Sequence, residues 1–208
     1  MFSPRPLDTG STGVIKNPKV TVLVRAKARS LSAAGTSEDL NTLVTRTVRI
    51  ETNLRLDAFG TYYKGPFKNS GALPPVAEKP TTYTVSLVAR NSSNNVSGAV
   101  VKTTLPIYVT WLNKIYPEGE SLKYDSATSE VTWDAGRIPS GGTREAFFQV
   151  SFLPSLIHLN TSPRLTGDIV LVGTDDFTKT TVKDQRPAVT TQLSSDPQFS
   201  QNQANVVN

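Results

Sequence analysis

A chain of 208 residues, 37% of them hydrophobic, is long enough to bury one large core or two modest ones. The absence of Cys excludes disulfides and thiolate metal sites, and no apolar run approaches the roughly 20 residues that span a bilayer. The net charge of +5 is regional, because residues 1–68 hold 11 Lys or Arg against 5 Asp or Glu. The 14 Pro and 13 Gly, with abundant Thr, Ser and Val, favour an all-β fold of short strands and many turns.

The first 73 residues are predicted to hold a leader and a small β unit. Residues 1–18 lack periodicity and are rich in Pro, Gly, Ser and Thr, which predicts an extended leader or linker without the apolar segment of a signal peptide. Residues 20–29 alternate between two faces, and residues 44–57 do so over a length that fits one long strand or two with a bend near Thr52. Residues 19–73 are therefore predicted to form an amino-terminal β unit, either an incomplete or a small sandwich.

Basic side chains recur on these first strands. If the two segments share a sheet, five of them lie on one face: Arg25, Lys27, Arg29, Arg49 and Arg55. Such a face is either a docking surface for an anionic polymer, such as an acidic glycan, or a solvated face whose charges block aggregation. No interleaved aromatic residues mark a base-stacking platform, so nucleic acid is not an expected partner.

The aromatic cluster that follows, at residues 59–67, is broken by Gly and Pro. If exposed, Tyr62, Tyr63 and Phe67 could stack on sugar rings or contact a partner protein. If buried, they would close the end of a sandwich. The sequence leaves both alternatives open.

From Thr81 onwards the spacing becomes regular. Short strands separated by turn signals every 8–12 residues are typical of an immunoglobulin-like β-sandwich, predicted here over residues 74–193. With the amino-terminal unit, this gives two sandwich units in tandem, followed by a polar tail at 194–208. The predicted strands are 82–89, 96–104, 108–112, 122–124, 130–134, 145–153, 165–172, 178–183 and 187–193.

Four residues of this region are predicted to fix the core. Trp111 and Trp133 are the only Trp residues, and each lies in a short apolar run. Leu105 is the last inward side chain before Pro106, which ends ladder pairing. Gly136 follows Trp133 closely and supplies the positive φ of a predicted turn.

These motifs resemble a family of bacterial surface-protein modules. The resemblance covers residues 81–193 and is carried by a Tyr-Thr strand at 81–85, an Asn-rich turn at 91–95, a strand ending in Leu105-Pro106, and a Trp-Asp-x-Gly turn at 133–136. The family is the "conserved repeat domain" of unknown function, an immunoglobulin-like unit often found in tandem in exported proteins. The longer pattern is similar to hypothetical surface proteins of uncultured small-genome bacteria. The resemblance implies an extracellular or cell-envelope location.

The sequence offers little for catalysis. His158 is the only His, and there is no Cys and no Gly-x-Ser-x-Gly elbow to supply an activated nucleophile, so the chain is predicted not to be an enzyme and to need no cofactor. Asp175 and Asp176 are weak calcium candidates beside Asp168 and Asp184, because hard cations need several oxygen ligands. Their spacing fits no calcium-loop consensus, and an ordinary hairpin turn accounts for them as well.

The expected function is a non-enzymatic structural module of a bacterial surface protein, serving as a stalk, envelope-layer or filament component. Its expected partners are other subunits or neighbouring domains of the same surface protein. The alternative is an adhesin-like module that binds a glycan or acidic polymer through the aromatic cluster or the basic strands. A third possibility is strand exchange, in which residues 1–18 or 194–208 add to a neighbour's sheet edge.

Overall fold

The computed structural model describes residues 15–31 and 37–208. Within them, eleven strands and two single-turn 3-10 segments, Leu156–His158 and Gln201–Gln203, make up the regular structure. No helix among these residues has the length and apolar character needed to cross a bilayer. The strands are β1 (Lys19–Leu31), β2 (Ser37–Arg49), β3 (Leu54–Thr61), β4 (Thr81–Asn91), β5 (Val96–Thr104), β6 (Val109–Tyr116), β7 (Ser121–Asp125), β8 (Glu130–Ile138), β9 (Thr143–Phe152), β10 (Ile169–Asp175) and β11 (Thr181–Arg186).

Nine of these strands form two antiparallel sheets around one core. The five-stranded sheet has the order β11-β10-β5-β8-β7, and the four-stranded sheet has the order β3-β4-β9-β6. Alternating residues of both sheets point into the space between them, as in other sandwiches, and build a single cluster of buried hydrophobic side chains. The predicted fold class, an all-β immunoglobulin-like sandwich, is confirmed.

The two Trp residues contribute to the core in different ways. Trp133 of β8 is fully buried, and its indole Nε1 donates a hydrogen bond to Glu120 Oε2 at 2.8 Å. Trp111 of the edge strand β6 is partly buried and stacks on Tyr124 with ring centroids 5.7 Å apart. Leu105 is buried directly after β5 ends, at the position where Pro106 stops the ladder.

The Trp-Asp-x-Gly motif lies inside β8 and not in a turn, which corrects the sequence prediction. Gly136 has a φ of +64°, and its N–H bonds back to Asp134 Oδ1 at 2.9 Å, as a turn would require. The chain does not reverse direction here. Instead, the pairing register between β5 and β8 shifts near Ala99. The same local chemistry therefore builds a β-bulge, which bends the strand and lets it continue to Ile138.

The amino-terminal residues do not form a second sandwich. β1 and β2 pair only with each other among the described strands, whereas β3 pairs along its whole length with β4. β2 ends at Arg49 and β3 begins at Leu54, and the two strands pair with different partners. This agrees with the two-strand alternative for residues 44–57. The boundary predicted after residue 73 is therefore too late, because the sandwich already includes residues 54–61. Most of the predicted leader, residues 1–14, lies outside the described residues.

Residues 194–208, predicted as a polar tail, pack along the sandwich instead. Ala204 and Val206 are buried, and Val207 forms a parallel bridge with Val76. The few apolar residues of this segment, together with Asp196, thus make its contacts. The prediction of a polar tail followed from the many Ser, Gln and Asn residues, which gave no sign of this packing.

Carboxylates cover the free edge of β3. Asp184 Oδ2 accepts a hydrogen bond from the Leu56 N–H at 2.8 Å, and Arg186 Nε donates to the Leu56 carbonyl. Asp196 Oδ2 accepts backbone N–H bonds directly after the strand ends. These side chains satisfy backbone groups that would otherwise offer an unpaired edge to another chain.

A matched pair of leucines tests the position of the core. Leu87 of β4 is 1% exposed, and Leu153, just after β9, is 51% exposed. Leu87→Ala should lower the free energy of unfolding by about 2–5 kcal/mol, and Leu153→Ala by less than about 1 kcal/mol. Denaturant unfolding monitored by Trp fluorescence measures both; equal losses would contradict the assigned core.

Candidate functional site

A long two-stranded ribbon, β1 paired with β2, has both of its faces exposed to solvent. Thirteen residue pairs are in continuous register, from Lys19 opposite Arg49 to Leu31 opposite Ser37. Cross-strand partners share a face and successive residues alternate, so the register sorts the side chains into two sets. We name the set that begins with Val20 the apolar face and the set that begins with Lys19 the basic face.

The apolar face carries a row of large hydrophobic side chains in water. Their exposed fractions lie between 44% and 59%. Ala26 and Ala28 continue the row towards the far end of β1, and Arg46 is the one charged member among the side chains described there. The large members are Val20, Val22, Val24, Leu40, Val44 and Val48.

The basic face brings together most of the basic residues singled out from the sequence. Arg25, Lys27, Arg29 and Arg49 all lie on it, with Lys19 beside Arg49. The structure does not bring Arg55 to this face, because Arg55 belongs to β3 and thus to the sandwich. The prediction assumed one sheet for residues 20–29 and 44–57, and the break after β2 separates them.

The basic residues of the ribbon differ in their surroundings. Arg29 Nε pairs with Asp39 Oδ1 at 3.1 Å, and both side chains are largely exposed. Arg25 and Lys27 have no ion-pair partner among the described residues and line a shallow groove of about 340 Å³. Exposed Leu23 and Leu43 interrupt the positive charge on the same face.

Polar contacts hold the base of the ribbon to the sandwich. Asn94, in the turn between β4 and β5, is buried; its Oδ1 accepts from the Asn17 N–H at 3.1 Å and its Nδ2 donates to the Ile50 carbonyl at 2.9 Å. Arg49 donates to the Phe177 carbonyl at 3.0 Å, and its guanidinium lies 5.2 Å from the Phe177 ring centroid. The base of the ribbon is therefore attached to the body on both of its strands, beside β1 at Asn17 and at the end of β2 through Arg49.

Asp175 is the charged centre of this attachment. Its Oδ2 accepts from the Thr52 N–H and from Asn94 Nδ2, each at 2.7 Å. Its Oδ1 accepts from the N–H groups of Phe177 at 2.8 Å and Thr178 at 3.1 Å. Burial acts to raise the pKa of Asp175, but these four hydrogen bonds favour the carboxylate and together hold the pKa below its ordinary value. We call Asn17, Arg49, Thr52, Asn94 and Asp175 the anchor cluster.

The three aromatic residues proposed as a contact surface have different environments. Tyr62 is half-buried, packs against the Tyr83 ring with centroids 6.1 Å apart, and donates from its hydroxyl to the Gly71 carbonyl at 2.6 Å. Tyr63 is 42% exposed, and Phe67 is half-buried. Tyr62 thus closes one end of the core, and Tyr63 is the member most open to a partner.

An aromatic groove on the outer side of the four-stranded sheet was missed at the sequence level. Its volume is about 690 Å³. Phe59, Ser86 and Phe147 lie side by side on β3, β4 and β9, and Tyr116 of β6 contacts Phe147 with centroids 6.0 Å apart. The available signal was the pair of adjacent Phe residues in β9, since neighbours on a strand point to opposite faces.

The residues considered for metal binding or catalysis make structural contacts. Asp175 serves the anchor cluster, and Asp176 Oδ1 accepts from the Ser97 hydroxyl at 2.7 Å. Among the residues that the structure describes, no three His, Cys, Asp or Glu side chains converge as metal ligands would. His158 Nδ1 accepts from the Ser155 N–H at 3.0 Å, and its ring packs on Tyr108 at 4.5 Å.

No protein-family profile and no curated protein matches the chain in sequence. Similar solved structures include the major pilin subunit BcpA of Bacillus cereus, at 11% identity and a TM-score of 0.40 over 79% of this chain and 47% of that one. The full-length major pilin SpaD of Corynebacterium diphtheriae matches at 14% identity and a TM-score of 0.41, over 65% of this chain and 35% of that one. An exo-β-N-acetylglucosaminidase of Vibrio harveyi matches at 12% identity and a TM-score of 0.33, over 70% and 19%.

Two of these three proteins are bacterial pilins and one is an enzyme, and the chain spans about half or less of each. TM-scores below 0.5 at such identities carry no argument about activity. No family profile supports the resemblance to the conserved repeat domain.

Asp175→Asn tests the anchor cluster. The amide keeps the shape but cannot accept four hydrogen bonds as a carboxylate does, so we expect a loss of roughly 2 kcal/mol in the free energy of unfolding at pH 7. The folded pKa lies below the unfolded value of about 4, so the carboxylate's contribution is complete above that value and is lost as the pH falls through the folded pKa.

The variant should therefore lose less stability than the parent protein on acidification below about pH 4. Asp168→Asn, at an exposed loop position, is the matched control and should change the free energy of unfolding at pH 7 by less than about 0.5 kcal/mol. Parallel acid profiles for the parent protein and Asp175→Asn would contradict the assignment.

Proposed function

We propose that this chain is a non-enzymatic structural module of an extracellular or cell-envelope assembly. In this proposal the sandwich is a rigid body and the ribbon is the element through which it joins its neighbours. The single observation that supports it most strongly is the exposed row of valines on a ribbon that is attached to the body at its base.

An isolated two-stranded hairpin is at best marginally stable in water. This one also keeps six large hydrophobic side chains exposed, and contiguous apolar surface of that kind marks interaction sites in soluble proteins. The ribbon therefore has the properties of a surface that is completed by a partner. The anchor cluster would pass a load from the ribbon to the core of the sandwich.

Two further observations support a structural role over catalysis. The only His is engaged in packing and in a local hydrogen bond, and the chain contains no Cys nucleophile. Three carboxylates of the carboxyl-terminal half, the buried Asp175 and Asp196 and the partly exposed Asp184, accept backbone N–H groups of distant segments. The proposed location rests on the sequence resemblance to surface-protein modules.

Cell fractionation tests this proposal. In cells that produce the protein, antibodies against the sandwich should label intact cells, and the chain should sediment with the envelope. Val24→Asp combined with Val44→Asp puts two charges on one cross-strand pair of the apolar face and should release a folded protein into the medium. Recovery of the parent protein from the cytoplasm would contradict the proposal.

The neighbouring cross-strand pair provides the matched control for this experiment. Leu23 and Thr45 lie opposite each other on the basic face, and changing both to Asp adds the same charge. This control should remain with the envelope. Equal release of the two double variants would show that charge, and not the apolar face, determines attachment.

A second candidate function is binding of an acidic polymer by the basic face. It is favoured by Arg25 and Lys27, which lie two residues apart on one face beside a groove and have no ion-pair partner among the described residues. A sheet face with this charge attracts polyanions such as acidic glycans in a salt-dependent way.

Heparin chromatography tests this second function. Arg25→Glu with Lys27→Glu should elute at a clearly lower salt concentration than the parent protein. Arg55→Glu with Arg137→Glu, two exposed positions on the sandwich, changes the net charge equally and should elute at a higher salt concentration than the ribbon variant. Identical shifts for both pairs would indicate non-specific attraction to the net charge.

A further inference from the structure

We propose that the apolar face of the ribbon binds the apolar face of a second copy of this chain. The two ribbons would stack face to face with antiparallel directions, related by a twofold axis that crosses both strands at the level of Arg25 and Leu43. The product is a two-layer, four-stranded unit with a largely apolar interior. This inference rests on the proposed structural function and names the partner.

The distribution of charge favours stacking by this face. All five basic residues of the opposite face, Lys19, Arg25, Lys27, Arg29 and Arg49, would point away from the interface and stay solvated in both copies. Edge-to-edge joining of two ribbons would instead bring their rows of basic side chains alongside each other. Repulsion between these like charges on neighbouring strands disfavours that arrangement. Arg46 is the single described charge that stacking must accommodate.

The order of side-chain sizes along β1 favours the antiparallel arrangement. Large residues, Val22 and Val24, occupy the half nearest the body, and small residues, Ala26 and Ala28, occupy the far half. A twofold axis at Arg25 places Val24 of one copy over Ala26 of the other, and Val22 over Ala28. Large side chains then fill the space left by small ones, as packing at core density requires.

The geometry also separates the two bodies. Thirteen residues at about 3.3 Å each make the ribbon roughly 43 Å long. Because the anchor cluster fixes each sandwich at the base of its own ribbon, antiparallel stacking puts the two sandwiches at opposite ends of the stack. A parallel stack would bring both bodies to the same end.

The size of the contact predicts a reversible association. A face about 43 Å long and about 10 Å wide covers roughly 400 Å² per copy, or about 800 Å² in total. This is below the area of most stable complexes and falls in the range of weak, transient ones. Free dimers should therefore form only at high concentration, whereas copies held close together in an assembly would associate readily.

Because the chain has no Cys, single Cys variants report the contact directly. Val24→Cys lies one position from the proposed axis, on the apolar face. A bis-maleimide matched to the spacing of about 10 Å between stacked sheets should join two copies through it. Leu23→Cys, the adjacent residue on the basic face, would lie on the outside of the stack and should remain a monomer.

Sedimentation equilibrium of the unmodified chain provides the second measurement. The mass should rise with concentration from 22.5 kDa towards twice that value. Val24→Asp with Val44→Asp should weaken the association more than about tenfold, because it buries charge without a partner. Equal cross-linking of the two Cys variants, or a constant monomer mass up to millimolar concentration, would overturn self-association.

The outcomes also separate this inference from the proposed function. If the chain stays monomeric but the double Asp variant is still released from the envelope, the partner is a different protein, and the structural role stands. If the chain dimerises through Val24→Cys but is found in the cytoplasm, the contact stands and the proposed location fails.

Discussion

A buried carboxylate connects the segment that follows the ribbon to β10 in the carboxyl-terminal half of the chain. Asp175 is the last residue of β10. Its carboxylate accepts hydrogen bonds from Thr52 and Asn94 and from the turn that follows β10. A buried charge is costly unless donors surround it, and four donors hold this one in its ionised form. Without it, the ribbon would remain attached mainly through Arg49 and Asn94. Asp175 thus holds in place two residues, Thr52 and Asn94, that connect the base of the ribbon to the sandwich.

Carboxylates that accept backbone N–H groups also occur along β3. Asp184 and Asp196 accept backbone N–H groups at and after this edge strand, so that side chains replace a missing strand partner. The sandwich edge is thereby closed, whereas the ribbon keeps an apolar face open. In the proposed self-association, this contrast directs the contact to the ribbon. The molecule protects one surface against other chains and presents another.

The sequence predicted what local patterns control. Alternation identified β1, and the run at 96–104 coincides with β5. The hydrogen bond between Asp134 and the Gly136 N–H was expected. Because a β-bulge and a turn use the same local contact, the motif alone did not indicate that these residues lie within β8. The packing of residues 194–208 depends on Val206 and Asp196 finding distant partners, which no local pattern reveals.

The grouping of the basic residues shows the same limit. Arg25, Lys27, Arg29 and Arg49 were assigned to one face because strand alternation is local, and the structure brings these four together. Arg55 was assigned with them by extending the alternation through Thr52. That residue instead turns the chain towards Asp175, which lies 123 positions further on. Arg55 follows this break and lies in β3, whose pairing with β4 places it on the sandwich.

Amide hydrogen exchange over β1 and β2, measured as a function of protein concentration, is the most direct test of a ribbon that a partner completes. The account predicts fast exchange of ribbon amides in dilute solution, beside strong protection in β4 and β8, and rising ribbon protection as concentration increases. Ribbon amides that are already as protected as those of β4 in dilute solution, with no dependence on concentration, would contradict it.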